Sequence, residues 1–225
     1  MAYYTLTHSK RKTAALYIRN GGVEVRAPLS MPKSDIDKFV ESKEKWIRDR
    51  LAKSKAQAER RQNFTLTYGD YITCIGKRYL IAAMNGSYTG FDGKQFYIPP
   101  NLTPEQIKRI CIHTYRVLAK RDLTNKVFDF AKQMSVIPTA VRITGAKTRW
   151  GSCSGKKSLN FSWRLIMADH DVIDYVVVHE LAHITEMNHS DRFWAIVKGV
   201  FPDYKERQMR LKELQRRLCG ENWDS

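Results

Sequence analysis

Apolar and polar positions alternate along the first thirty residues, and then the period changes. Tyr4 and Leu6, then Ala14, Leu16 and Ile18, are separated by polar neighbours, and Asn20-Gly21-Gly22 supplies a tight turn before Val23-Glu24-Val25. Residues 1–31 therefore read as short strands, ended by Pro28 and Pro32. From about Lys33 to Arg61 the spacing becomes helical: Ile36, Phe39, Val40, Trp46, Ile47 and Leu51 fall on one stripe. This predicts a single long helix with Ser34 as its N-cap, Asp37 three residues on, and a polar, basic far end. Strand patterns return over 63–98, at Phe64, Leu66 and Tyr68, Tyr71 to Ile75, Tyr79 to Ala83, and Phe96 to Ile98. Gly69-Asp70, Gly76-Lys77 and Asn85-Gly86 punctuate them.

After Pro99-Pro100, Thr103-Pro104 with Gln106 reads as a capping box opening a helix that runs to about Gln133. His113 on that helix reads as structural. Val141-Arg142-Ile143 and Leu159 to Trp163 are expected strands, with Arg149 to Gly155 a loop between them. The segment from Val172 to Ala182 is apolar on nearly every face, which belongs in a core. Asp169 or Asp171 should cap it, with Asp174 near its start if Asp171 is the cap. A short helix around Phe193, Trp194, Ile196 and Val197 follows. A last one begins at Pro202, with Tyr204, Leu211, Leu214 and Leu218 on one face and basic residues elsewhere. The pattern gives an α+β protein: an N-terminal strand-and-helix portion over 1–100, with its basic helix at about 33–61, and a helix-rich domain over 101–225.

The apolar helix carries the chemistry. It contains His179-Glu180-Leu181-Ala182-His183, and His189 follows. Histidines four apart on a helix lie about 40° apart around its axis, so both imidazoles reach one ion. The glutamate between them can touch an ion-bound water without being a ligand. An unpaired His-Glu-His in so apolar a helix would be costly to bury, which favours a real metal site. His183 to His189 is the metzincin spacing H-E-x-x-H-x-x-G-x-x-H, with Glu186 at the glycine position. Without that glycine, Asn188 is the best residue for a left-handed exit, and the helix should run somewhat past His183. His189 is the favoured third ligand. Glu186, Glu206 and Glu213 are the competing carboxylates. Three ligands suit Zn2+ and leave a position for water, with Glu180 as general base. Tyr204 and Arg149 are candidates by residue type for holding an oxyanion. Cys153 as a nucleophile is disfavoured beside the zinc motif.

Composition narrows the setting. The 225 residues are 43% hydrophobic, as in an ordinary folded protein, and no apolar run approaches a membrane span. The first ten residues lack an apolar signal core, and Cys74, Cys111, Cys153 and Cys219 form no C-x-x-C pair. Mostly buried thiols in a reducing cytoplasm are the expectation. A net charge of +16 favours polyanions such as nucleic acid as neighbours, against the blander reading that Lys and Arg merely solubilise exposed helix faces.

Taken together, His179-Glu180-Leu181-Ala182-His183, Asn188-His189-Ser190, Phe193-Trp194 and the upstream Arg149-Trp150-Gly151-Ser152-Cys153 resemble the YgjP-like metallopeptidase family, related to SprT-like and WLM zinc peptidases. The likeness is strongest over the C-terminal half and looser at Ala27-Pro28 and Trp46-Ile47. It implies a compact zincin domain with His179, His183 and His189 as zinc ligands and Glu180 catalytic. It also implies a protein or peptide substrate and relatives that act on DNA-bound proteins. The expected activity is zinc-dependent peptide-bond hydrolysis. The rival from another class is a basic nucleic-acid-binding or scaffold protein with a structural metal.

Overall fold

The computed structural model describes residues 4–86 and 88–224. Residues up to Phe64, with Cys219–Asn222, make one compact unit, and Thr65–Leu218 with the residues from Trp223 make the other. The division lies well ahead of the expected boundary at residue 100, because the strands after Phe64 pack with the long helix that follows them.

In the first unit β1 (Tyr4–Ser9) runs parallel to β3 (Gly22–Pro28), and β2 (Ala15–Arg19) runs antiparallel to it, giving the order β1-β3-β2. Asn20 and Gly21 turn the hairpin at φ 50° and 74°, the two left-handed positions that a tight turn requires. The expected long helix is two helices, α1 (Lys33–Glu41) and α2 (Glu44–Gln62). Ser42 Oγ donates to the carbonyl of Phe39 at 2.7 Å, so the hydroxyl competes with the helix ladder where α1 stops. Ser34 does not cap: Pro32 holds the N-cap position, with no side-chain bond. Val23, Val25, Ala27, Ile36, Val40 and Ile47 form this unit's core. Trp46, expected in the apolar stripe, is 44% exposed.

The second unit opens with a four-stranded sheet, order β4-β5-β7-β6, from β4 (Tyr71–Cys74), β5 (Lys77–Ala83), β6 (Gly90–Phe91) and β7 (Gln95–Ile98). Residues 64–68 form no strand, because the Asp70 carboxylate accepts from Thr67 N at 2.7 Å and Thr67 Oγ1 at 3.0 Å. That side chain folds the segment into a turn instead. Helix α3 (Pro104–Gln133) begins on the expected box: Gln106 N donates to Thr103 Oγ1, and Thr103 N donates to Gln106 Oε1. Such caps are worth about 1 kcal/mol. Tyr115 on α3 is fully buried and donates to Thr73 O at 2.7 Å. Its ring meets Phe96, Trp163 and Trp223 at 5.3–5.6 Å. These contacts place 65–98 with the helical part.

A three-stranded sheet, order β8-β10-β9, follows: β8 (Ala140–Thr144), β9 (Gly151–Cys153) and β10 (Ser158–Ser162). Part of the expected loop is thus an edge strand, antiparallel to β10, with Gly151 opposite Phe161 and Cys153 opposite Leu159. Trp163 begins a 3-10 turn rather than ending a strand. Helix α4 (His170–Ala182) packs against α3, β9, α5 (Asp191–Val200) and α6 (Tyr204–Leu218). Val172, Ile173, Tyr175, Val176, Val177, Val178, Leu181 and Ala182 are at most 3% exposed. At roughly 1.5–3 kcal/mol for each large aliphatic side chain, this burial outweighs the cost of carrying polar groups on the same helix. No helix among the described residues is long and apolar enough to cross a membrane. All four cysteines are free, Cys74 and Cys111 buried, Cys153 and Cys219 only partly so.

Candidate metal centre

Helix α4 enters the site under an external clamp. Asp169 occupies its N-cap position but makes no side-chain cap bond. Its carboxylate pairs with Arg210 of α6, as does that of Asp171, and Arg207 donates to the Asp171 carbonyl at 2.9 Å. The expected cap is therefore replaced by charge-assisted bonds, which are stronger than a neutral cap, while both negative charges stay near the helix N-terminus. Lys126 of α3 pairs with Asp174 at 2.6 Å.

At the other end the helix stops earlier than expected, at Ala182, with His183 as a right-handed C-cap. The chain leaves through tight turns: Thr185 N and Glu186 N both donate to Ala182 O, at 3.1 and 2.9 Å. No residue from His183 to Ser190 has a positive φ. The glycine of the metzincin spacing is thus unnecessary here, and Asn188 makes no left-handed exit. Ser190 then caps α5, its Oγ accepting from Phe193 N. A serine followed by Asp191 is a helix-start signal, and it places His189 directly before the new helix.

These two ends bring together His179, His183 and His189. One nitrogen from each lies within 4.8 Å of the others, and this is the one such His, Cys, Asp or Glu group among the described residues. Glu186, Glu206 and Glu213 are not in it. His183 Nδ1 lies 3.1 Å from the Glu186 carbonyl. A carbonyl only accepts, so Nδ1 carries the ring proton and Nε2 keeps its lone pair. Glu186 thus contributes through its backbone rather than its carboxylate. His179 Nε2 and His189 Nε2 stand 3.1 Å apart. Ligands on adjacent corners of a tetrahedral zinc site lie about 3.3 Å apart. His179 Nδ1 is buried without a protein hydrogen-bond partner, an arrangement that costs about 1–3 kcal/mol. Burial first, then the neighbouring imidazoles, pushes His179 down to about 3, and burial also lowers His183. Three converging ring nitrogens, with burial favouring the uncharged form of His179 and His183, fit a cation that takes imidazole nitrogen.

An aromatic floor supports the cluster. The Phe193 ring lies 4.9, 4.5 and 4.7 Å from the rings of His179, His183 and His189. Trp194 approaches His179 and His189 at 6.0 and 5.7 Å and stacks on Tyr204 at 5.1 Å. In sequence, Phe193-Trp194 shows only as helical spacing. The signal for its second role is that it lies one turn beyond His189.

Glu180 is 6% exposed. Burial pushes its carboxyl up to about 7, against an opposing pull from Arg149. Arg149 itself is exposed and acts on Glu180 through charge. Tyr204 is held by its stack on Trp194. Burial and then the Glu180 charge raise the Cys153 thiol, which keeps it protonated and a poor nucleophile. Against β9, the Glu180 side chain fills the space where Gly151 has no side chain.

A buried helix that offers two imidazoles and a carboxylate, met by a third imidazole from the turn beyond it, defines a zincin-like metallopeptidase site. The chain belongs to the YgjP-like metallopeptidase domain family, whose sequence profile matches residues 12–214. Zinc is the metal that family implies, and protein or peptide is the substrate class. The chain is also similar to the metallopeptidase zymogen of Pyrococcus abyssi abylysin, at 24% identity and TM-score 0.37, over 40% of this chain and 90% of that one. It is similar as well to the metallopeptidase zymogen of Methanocaldococcus jannaschii jannalysin, at 22% identity and TM-score 0.37, over 42% and 95%. No curated protein matches the chain.

Proposed function

We propose that this protein hydrolyses peptide bonds with Glu180 as general base, and that His179, His183 and His189 are its zinc ligands. The observation that carries the reading is the convergence of the three imidazole nitrogens within 4.8 Å, on and beside the helix that buries Glu180. A bound zinc ion supplies Lewis acidity and lowers the pKa of water to about 7. Glu180 takes the proton of the attacking water on a carboxylate oxygen and hands it to the departing amine nitrogen. His183 presents Nε2 because Glu186 O holds its Nδ1 proton, and the Phe193 ring fixes the planes of all three imidazoles. β9 pairs with β10 on one side, so its other edge can take the backbone of an extended substrate by strand addition. Arg149, whose charge acts on Glu180, and Tyr204, stacked on Trp194, are the two oxyanion candidates.

The basic surface favours a second element of the reading, action near nucleic acid. Helix α2 buries only Ile47 along its 19 residues, and Lys45, Arg48, Arg50, Lys53, Lys55 and Arg60 on it are exposed. Incubation of the zinc-loaded protein with an unfolded protein, with and without duplex DNA, should produce new peptide termini by mass spectrometry. In parallel, DNA affinity should fall steeply with added salt. Salt-sensitive binding with no new termini would instead favour a scaffold whose metal is structural.

A further inference from the structure

We propose that Gly151 is a positioning residue for the reaction, its missing side chain being the space in which the Glu180 carboxylate is held. The inference rests on Glu180 acting as general base. A Cβ placed on Gly151 would lie 2.5 Å from Glu180 Oε1, 2.6 Å from Cγ and 2.7 Å from Cδ. Backbone conformation does not explain the glycine. Gly151 lies in a regular strand, opposite Phe161 on β10, and its φ is not positive. Glycine weakens a strand, and a strand glycine often marks a close approach by another group. Here that group is a side chain from the adjoining helix.

The contact reaches three consecutive heavy groups of Glu180, so a methyl at 151 cannot be relieved by turning the carboxylate alone. Glu180 is 6% exposed, which leaves the displaced side chain little room. The carboxylate would have to leave its place against β9. The Arg149-Trp150-Gly151-Ser152-Cys153 run thereby gains a function. Its glycine gives the base a fixed seat on β9, while Ser152, on the alternate face, lies within 3.4 Å of Asn160 Nδ2.

The test combines Gly151→Ala, Glu180→Ala and their double variant, with Lys156→Ala, exposed and outside β9, as control. In metal-free protein, Gly151→Ala should lower Tm by about 5 °C through overpacking. In the Glu180→Ala background the same substitution should cost almost nothing, because the atoms it meets are gone. With zinc bound, Gly151→Ala should lose about 100-fold in kcat, as displacement of a reacting group does. KM and zinc content should stay at wild-type values, and Lys156→Ala should change none of these quantities. Should Gly151→Ala fail to fold, a folded double variant supports the proposal and an unfolded one overturns it. An equal Tm cost in both backgrounds, or a wild-type kcat in Gly151→Ala, overturns it as well. Full activity in Glu180→Gln would remove the general-base reading on which the proposal rests, whereas an inactive Glu180→Gln beside a fully active Gly151→Ala removes the positioning role alone.

Discussion

Glu180→Gln should lower kcat about 10²–10⁴-fold while zinc content and secondary structure stay at wild-type levels. Gln matches Glu in shape, so it can occupy the seat on β9 beside Gly151 without the overlap an added methyl would create. What it removes is the basic oxygen. Because Glu180 is nearly buried, losing its charge also removes a desolvation cost, so the variant should be no less stable than wild type. Equal Tm with lost cleavage separates a catalytic role from a packing role. The measurement is kcat on an unfolded protein substrate, with zinc content determined on the same preparation. A variant that cleaves as fast as wild type would show that another group takes the proton.

Removal of the metal should abolish cleavage and lower Tm, and added zinc should restore both. Helix α4, the turn beyond it and the Phe193 ring bring the three imidazoles together, so an ion binds the folded chain and not the unfolded one. An ion binding the folded state at about 1,000 times its dissociation constant stabilises by about 4 kcal/mol, roughly 8–16 °C in a chain of this size. The fold itself should persist, because the core of α4 is made by Val, Ile, Leu, Ala and Tyr175 side chains, none of them a metal ligand. Far-UV circular dichroism of chelated protein should therefore keep its helical signal while thermal scans shift down. Magnesium should not substitute, since imidazole nitrogen suits zinc and magnesium prefers oxygen. An unchanged Tm and undiminished cleavage after chelation would contradict a zinc-dependent reaction.

Much of this was legible in the chain. The buried character of α4 follows from its all-round apolar pattern, and α3 begins at Thr103 because Thr, Pro and Gln stand at cap, N1 and N3. The HExxH spacing fixes two imidazoles on one face through helix geometry alone. The misses share a cause, in that a side chain had two partners available and tertiary context chose. Asp169 had a cap bond in reach and took Arg210 from α6. Ser42 could have continued a helix and bonded back to Phe39 O. Glu186 was weighed by its carboxylate, but its carbonyl is what meets His183. β9 falls within the expected loop at Arg149 to Gly155 because three residues carry no period. Only the position of Glu180, from another element, explains why Gly151 has no side chain.

The ligand set is tested most directly by zinc content per chain in wild type, His189→Ala and Glu186→Ala, measured on protein equilibrated at one low free-zinc concentration. Expected are one zinc per chain in wild type and in Glu186→Ala, whose backbone carbonyl still orients His183, and little or none in His189→Ala. Full zinc in His189→Ala together with its loss in Glu186→Ala would contradict the three-histidine site.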